Sequence, residues 1–340
     1  MARKVSRRSI VETPPARSDS AVVSLLPTEM LAGVKIRPVL PEEIDRCLAL
    51  FFRNAPGDDR QIYPRVESFK QLARQENYDL TRQMVAMVKG QIRHACLFVS
   101  QPGRMAFLFT SWADQHSEID SNIASKTVAE TCNWAFRQGS NLIQVLIEMT
   151  DHYRRELCLK SGFHCLTDLI YMHYHLVAPR PMPPLPPPYQ WLTYEPARHD
   201  LFKQIINQTY QDSLDCPELT QLRNMDDVMD SHQAAGLFEP RWWKILLHNQ
   251  KPAAVLLLSP LKSSNMLELT YMGLIPEFRG RGLSRLVLEE ALRCIPLSNR
   301  RNLTLAVDCR NKPACQLYLN FGFEVIFRRT ALIKPSNWPK

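Results

Sequence analysis

The segment Leu274-Ile-Pro-Glu-Phe-Arg-Gly-Arg-Gly-Leu-Ser-Arg285 sets two glycines and three arginines between an apolar strand pattern and an amphipathic helix pattern. The chemistry open to such a segment is anion binding. Gly280 and Gly282 let the backbone come close to a ligand. Successive amides of the turn, with the start of the following helix, suit a phosphate or pyrophosphate. Arg279, Arg281 and Arg285 read either as added phosphate contacts or as a solvated basic turn, and their place around a glycine loop favours the former. Two familiar phosphate loops are excluded. No Gly-Lys-Ser/Thr follows, as a P-loop needs. Arg285 stands where a dinucleotide fold wants its third glycine, and no ribose-binding acid lies at the expected distance.

The pattern Arg279-x-x-Gly282-x-Ser284 resembles the R/Q-x-x-G-x-G/A loop of the GNAT family of N-acetyltransferases, with serine in place of the usual small residue. Downstream, Asn311-x-x-Ala314-x-x-Leu317-Tyr318 and Phe321-Gly322-Phe323 resemble that family's N-x-x-A-x-x-L-Y-x-x-x-G-F signature. The resemblance spans roughly 130 residues, with two motifs in register. It implies acetyl-CoA as co-substrate and direct transfer to an amine, without a covalent enzyme intermediate. The backbone of Met272, Leu274 and Ile275 would pair with pantetheine. The amides of Arg279, Gly280, Arg281, Gly282, Leu283 and Ser284 would hold the pyrophosphate. Asn311 would contact the CoA arm, and Tyr318 would protonate the leaving thiolate.

Side-chain chemistry is compatible with those roles. A tyrosine with a reference pKa of about 10 is protonated at neutral pH and able to donate. Tyr318 otherwise reads as a core aromatic, and its motif position favours the acid. The amine must lose a proton. Glu268, between apolar Leu267 and Leu269 on the strand leading into the loop, is either a base with a raised pKa or an outward strand residue. Asp308 is a weaker candidate. Asp212, Asp215 and Glu218 form an acidic loop that either attracts a cationic acceptor or is simply polar. Trp242 and Trp243 fit a cleft or a core equally. Cys309 and Cys315 have no histidine partner in sequence, so a thiol nucleophile is not expected.

These motifs need a scaffold, and the chain carries its pattern twice. Val145–Asp151 matches Leu305–Asn311, and Leu157–Phe163 matches Leu317–Phe323, both at an offset of 160 residues. Gly139 faces Asn299, the two residue types that best tolerate a left-handed helix end. A turn at Gly90 faces one at Gln250-Lys251. The site is not duplicated with the pattern. The counterpart of the glycine loop is Ile119-Asp-Ser-Asn-Ile-Ala124, with Asp120 and Asn122 for the two glycines. Cys158 replaces Tyr318, and Asp151 replaces Asn311. The expected architecture is therefore an α/β (α+β) chain of two tandem GNAT-like domains. Each would be a mixed, mostly antiparallel sheet flanked by helices, similar to the mycothiol synthase-like acetyltransferases. The expected divisions are a disordered basic tail (1–34), a degenerate domain (35–177), a proline-rich linker (178–189) and a catalytic domain (190–340). Seven of the ten residues 179–188 are proline, which favours an extended spacer over helix or sheet.

Composition sets the outer bounds. The chain has 340 residues, 45% of them hydrophobic and 22% charged, which is ordinary globular usage. The net charge of +8 admits an anionic ligand, but no nucleic-acid motif accompanies it. No apolar run approaches the roughly 18–20 residues of a membrane span. Nine scattered cysteines without a CxxC pair point to reduced thiols, no metal site and a cytoplasmic location. The expected partner is a small-molecule or peptide amine, with no nucleic acid and no membrane. A non-catalytic acyl-CoA sensor is the alternative.

Overall fold

Apolar residues alternate along the strands and recur at helical spacing between them, and the same order of elements is built twice. In the computed structural model the described residues are 34–53, 59–112, 118–177, 184–262 and 264–337. The expected tail up to residue 33 and the first half of the proline-rich linker, 178–183, lie outside them. The first half runs β1 (Val34–Pro38), α1 (Ile44–Phe52), α2 (Ile62–Gln75), β2 (Gln83–Val88), β3 (Gln91–Gln101), β4 (Met105–Thr110), α3 (Glu118–Arg137), β5 (Leu142–Ile147), α4 (His152–Lys160) and β6 (His164–His175). The second half repeats it as β7 (Tyr189–Thr193), α5 (His199–Thr209), α6 (Met225–Ala234), β8 (Trp243–His248), β9 (Lys251–Pro260), β10 (Met266–Leu274), α7 (Leu283–Leu297), β11 (Asn302–Asp308), α8 (Lys312–Asn320) and β12 (Glu324–Pro335). The left-handed turns fall where glycine and asparagine allow them, with φ of 95° at Gly139 and 57° at Asn299.

The two sheets merge into one of twelve strands, in the order β1-β2-β3-β4-β5-β12-β6-β11-β10-β9-β8-β7. The last strand of each half leaves its own half. β6 pairs with β11, and β12 pairs with β5. The registers repeat at the same offset of 160, since Ile147 faces Thr330 and Val307 faces Ile170. A pseudo-twofold axis thus crosses the β6–β12 pair, where Leu169 faces Arg329. Such an exchange is possible because β5 and β11 offer an incoming strand the same alternating apolar face.

One face of the sheet carries α3 and α4 over the first half and α7 and α8 over the second. Leu256, Leu267, Leu303 and Leu305 pack there with Val287 and Leu288 of α7, and Phe98, Ile143 and Val145 pack with Val128 and Leu157. On the opposite face α5 and α6 cover β8 and β9 through Phe202, Ile206, Trp243 and Leu257. Trp242 and Trp243 are both core residues, 3% and 0% exposed.

The halves also dock through the β3–β4 turn. Arg104 forks Asp227 of α6 at 2.8 Å through both Nε and Nη2, and Ser231 Oγ donates to the Pro102 carbonyl at 3.0 Å. Gly103 has φ of 74°, and a Cβ there would stand 2.0 Å from the Asp227 carbonyl oxygen. Only glycine permits that approach. No helix among the described residues is long and apolar enough to cross a membrane.

Candidate functional site

Strands β10 and β11 run parallel and pair only from Met266–Asn302 to Glu268–Thr304. Beyond Glu268 they part. On its other side β10 carries a bulge between Leu269 and Tyr271 against β9, which leaves Thr270 as the extra residue. A bulge kinks its strand and sharpens the local twist, so it lies where the divergence begins. The gap opens into a cavity of about 460 Å³. Leu269, Met272, Leu305, Val307 and Tyr318 give it apolar walls, while Gly280, Ser284 and Asn311 line one end and Asp212 and Asp215 another.

The glycine loop adopts the left-handed backbone that its composition allows. Gly280 and Gly282 take φ of 72° and 76°, and open space surrounds the position of a Cβ on either. Gly282 is the N-cap of α7. The amides of residues 280–284 meet no protein acceptor among the described residues, so this helix start presents free donors beside the cavity. Leu283 is a buried anchor of α7. Ile275 closes the strand side, its amide donating to Ala253 at 3.0 Å.

The arginines divide. Arg279 does not turn its guanidinium outward. It donates to the carbonyls of Leu274 (3.2 Å), Asp212 (3.1 Å) and Thr209 (3.0 Å), bracing the loop after α5 against the end of β10. Its guanidinium is therefore engaged within the protein and not turned toward the cavity as a phosphate ligand. Arg281 lies over Phe278, and Arg285 pairs with Glu289 and lies over Phe321.

Tyr318 sits on α8, 6% exposed, against Phe323. Its hydroxyl has no hydrogen-bond partner among the described residues and its side chain lines the cavity. Burial raises its pKa above the usual phenol value, with Asp215 adding to the shift, so it stays protonated. Glu268 lies where β10 and β11 part, next to the cavity-lining Leu269 and Thr270. Burial pushes its carboxyl up to about 7. Asn311 caps α8, its Oδ1 accepting the Ala314 amide at 3.2 Å.

The acidic loop separates into three environments. Asp212, in a left-handed turn with φ of 50°, lines the cavity. Asp215 lines it too, with its Oδ1 accepting the Asp308 amide at 3.0 Å. Burial raises its pKa, and the Asp308 charge adds to that. Glu218 lies outside the cavity and is held bidentately by Arg310 at 2.6 and 2.9 Å. Asp308 is not poised as a base. Burial alone would raise it, but hydrogen bonds from Arg310, Thr167 and two amides hold it down to about 2. Sequence alone does not reveal these contacts, since Glu218 lies 92 residues from Arg310 and Thr167 lies 141 residues from Asp308. Tyr271 also escaped notice. Its hydroxyl meets Thr209 Oγ1 at 2.8 Å, over Gly273, where a Cβ would stand 2.6 Å from that same Oγ1.

The first half is built differently at the matching place. Strands β4 and β5 also pair over three residues and then part, leaving a cavity of about 520 Å³. Residues 119–124, set against the glycine loop in the sequence comparison, are not a loop here. They lie within α3, which begins at Glu118. Asp120 pairs with Arg93 at 2.8 Å. No register shift marks the β3–β4 pair. At the position of Ala314 stands Arg154, which donates to Thr110 O (3.0 Å), Asp151 (2.8 Å) and Phe51 O (3.2 Å) and lies over Trp112. Its guanidinium bridges β4 and the start of α4, where the second half leaves space.

Residues 206–323 match the sequence profile of the acetyltransferase (GNAT) family. No curated protein sequence matches the chain significantly. Among solved structures, a GCN5-related N-acetyltransferase from Sphaerobacter thermophilus is 16% identical. The match covers 89% of this chain and 95% of that one, at a TM-score of 0.60. A GCN5-related glucosamine N-acetyltransferase region of a fungal multi-domain β-N-acetylglucosaminidase is 12% identical. There the match covers 88% of this chain and 38% of that one, at a TM-score of 0.54. A tandem GNAT protein from the clavulanic acid biosynthesis pathway is 14% identical, covering 90% of this chain and all of its own, at 0.48. The fold is that of the GNAT acetyltransferases.

Proposed function

Starting from a GNAT domain at residues 206–323, we propose that the chain transfers an acetyl group from acetyl-CoA directly to an amine, at the cleft between β10 and β11 in its C-terminal half. One observation carries the reading. Free amides at 280–284, the bulged strand β10 and the unpartnered hydroxyl of Tyr318 converge on one cavity. That set suits a long, phosphate-bearing thioester. The amides of residues 280–284 would take the pyrophosphate, and the parted edge of β10 at Met272 and Leu274 would pair with pantetheine. Tyr318 would donate its proton to the thiolate as the C–S bond breaks. Glu268 would accept the proton that the attacking amine loses. Asp212 and Asp215 would favour a cationic acceptor, a small molecule or a peptide, while Glu218, neutralised by Arg310, contributes little.

The division of labour is part of the proposal. Residues 190–340 carry the chemistry, and residues 35–177 support them. All nine cysteines are free, which suits a reducing cytoplasmic setting. The test is titration calorimetry with acetyl-CoA, followed by a thiol-release assay over a set of primary amines. Binding with release is the expected result. Binding without release on any amine would favour an acyl-CoA sensor, and absence of binding would overturn the reading.

A further inference from the structure

The exchanged strands bring residues of both halves to one place. Thr304 pairs with Glu268 on one side and with His173 of β6 on the other. Ala306, which lines the cavity, pairs with Tyr171. Tyr171 in turn pairs with Phe327 of β12. Strand residues two apart share a face, so Glu268, Thr304, Ala306, Tyr171 and Phe327 all lie on the side away from α7 and α8. Helices α5 and α6 cover β8 and β9 on that side and leave this strip open. Ala306 is exposed and Phe327 is 42% exposed. The two rings stack with centroids 4.4 Å apart and planes 25° from parallel. Arg329 lies 5.1 Å from the Phe327 centroid and pairs with Glu148. His173 and Glu324, 3.7 Å apart, form the far rim.

We propose that the acceptor is a primary amine bearing a flat aromatic group, with the amine at Glu268 and the aromatic group against Tyr171 and Phe327. This rests on the C-terminal cleft being the site of acetyl transfer. Charge and shape complementarity choose the occupant. A carboxylate lies beside the cavity, and an apolar, ring-surfaced strip continues from it. Neighbouring strands are about 4.8 Å apart, so β6 lies roughly 10 Å from β10, the span of an arylalkylamine with a short chain. Glu268 lies close enough to Tyr171 for its charge to raise the Tyr171 pKa, after the effect of burial. Tyr171 and Phe327 are specificity residues here, and they take no part in proton transfer.

The experiment compares 2-phenylethylamine and 4-phenylbutylamine with ethanolamine as acceptors, using acetyl-CoA and a thiol-release readout. The aromatic amines should be preferred in kcat/KM by on the order of tenfold. Phe327→Ala and Tyr171→Ala should each remove most of that preference through KM, leaving kcat on ethanolamine and calorimetric acetyl-CoA affinity unchanged. Phe327→Leu, which keeps apolar bulk without a ring, should lose the preference while melting near the wild-type temperature. Equal use of the three amines, a preference untouched by these variants, or acetyl-CoA binding with none of the amines acetylated would overturn the proposal. Failure to bind acetyl-CoA would instead overturn the reading beneath it.

Discussion

The two halves share ten elements in one order and the same parting of parallel strands, yet only the second sets a glycine turn with free amides beside its cleft. In the second half α7 begins after a turn with two left-handed glycines, and its first amides stay free. In the first half α3 starts earlier and runs through the matching residues. Between β10 and β11 the cavity wall at Ala314 is open, whereas Arg154 reaches across at that position in the first half. The difference teaches that the fold rests on many interchangeable apolar contacts, while the site rests on a handful of backbone and small-residue positions. Losing those positions costs the fold little.

The comparison breaks most sharply at the glycine loop. Gly282→Asp would set a carboxylate beside a bound pyrophosphate, and at close range an unfavourable charge is worth about 4 kcal/mol, or roughly a thousandfold in affinity. Asn122→Asp, at the matching place in the first half, should leave acetyl-CoA affinity unchanged. Calorimetry on both variants decides the matter, and equal losses would end the claim of a single active half.

Next in size is Tyr318→Phe. Removing a general acid lowers kcat by about 10²–10⁴-fold, and the lower end is expected because water can replace part of the donor. Acetyl-CoA affinity and melting temperature should hold. The counterpart residue, Cys158, is buried and its thiol pKa is raised by that burial, so Cys158→Ala should leave kcat alone. An unchanged rate in folded Tyr318→Phe, with chemistry limiting, would remove Tyr318 from the mechanism.

A smaller effect separates Glu268 from its first-half counterpart by strand register, Phe107. Burial pushes the Glu268 carboxyl up to about 7, so below that pH it holds its proton and cannot accept another. Turnover should fall about tenfold per pH unit below 7 and level off above it. Glu268→Gln should lower the plateau and erase the limb. A limb that persists in the variant would assign it to another group.

The smallest effect concerns support of the second half by the first. Gly103→Ala forces a methyl toward the Asp227 carbonyl, so a loss of about 2–3 kcal/mol is expected, seen as a melting point lower by several degrees. Gly90→Ala, with similar φ but open space, should cost only about 1 kcal/mol. Similar melts for the two would show that the docked turn tolerates the methyl.

Much of this was legible in the sequence because local rules governed it. Gly280, Gly282, Gly139 and Asn299 mark left-handed positions, and the offset of 160 residues exposed the repeat. Proline and asparagine at 311–313 marked the start of α8. Other features were not legible because they depend on partners distant in sequence. Nothing in residues 164–175 says that they pair with β11 instead of β5, since both neighbours present alternating apolar residues. The bulge at Thr270 depends on the register with β9. No local pattern announces the three carbonyl partners of Arg279, which come from the end of α5, the loop after it and the end of β10. Glu218 looked available for a substrate because Arg310 lies 92 residues away in sequence.

The exchange of β6 and β12 also orders events in time. When β6 leaves the ribosome at His175, its neighbours β11 and β12 have not been made, and β5 has no partner on its open edge. Pro335, the end of β12, follows 160 residues later, and synthesis at roughly 5–20 residues per second makes that wait about 8–30 s. For that interval the nascent first half exposes two strand edges to whatever chaperones or other chains are near. A message truncated ahead of Glu324 would therefore damage the half translated first as well as the half it cuts, since β5 would never receive its neighbour.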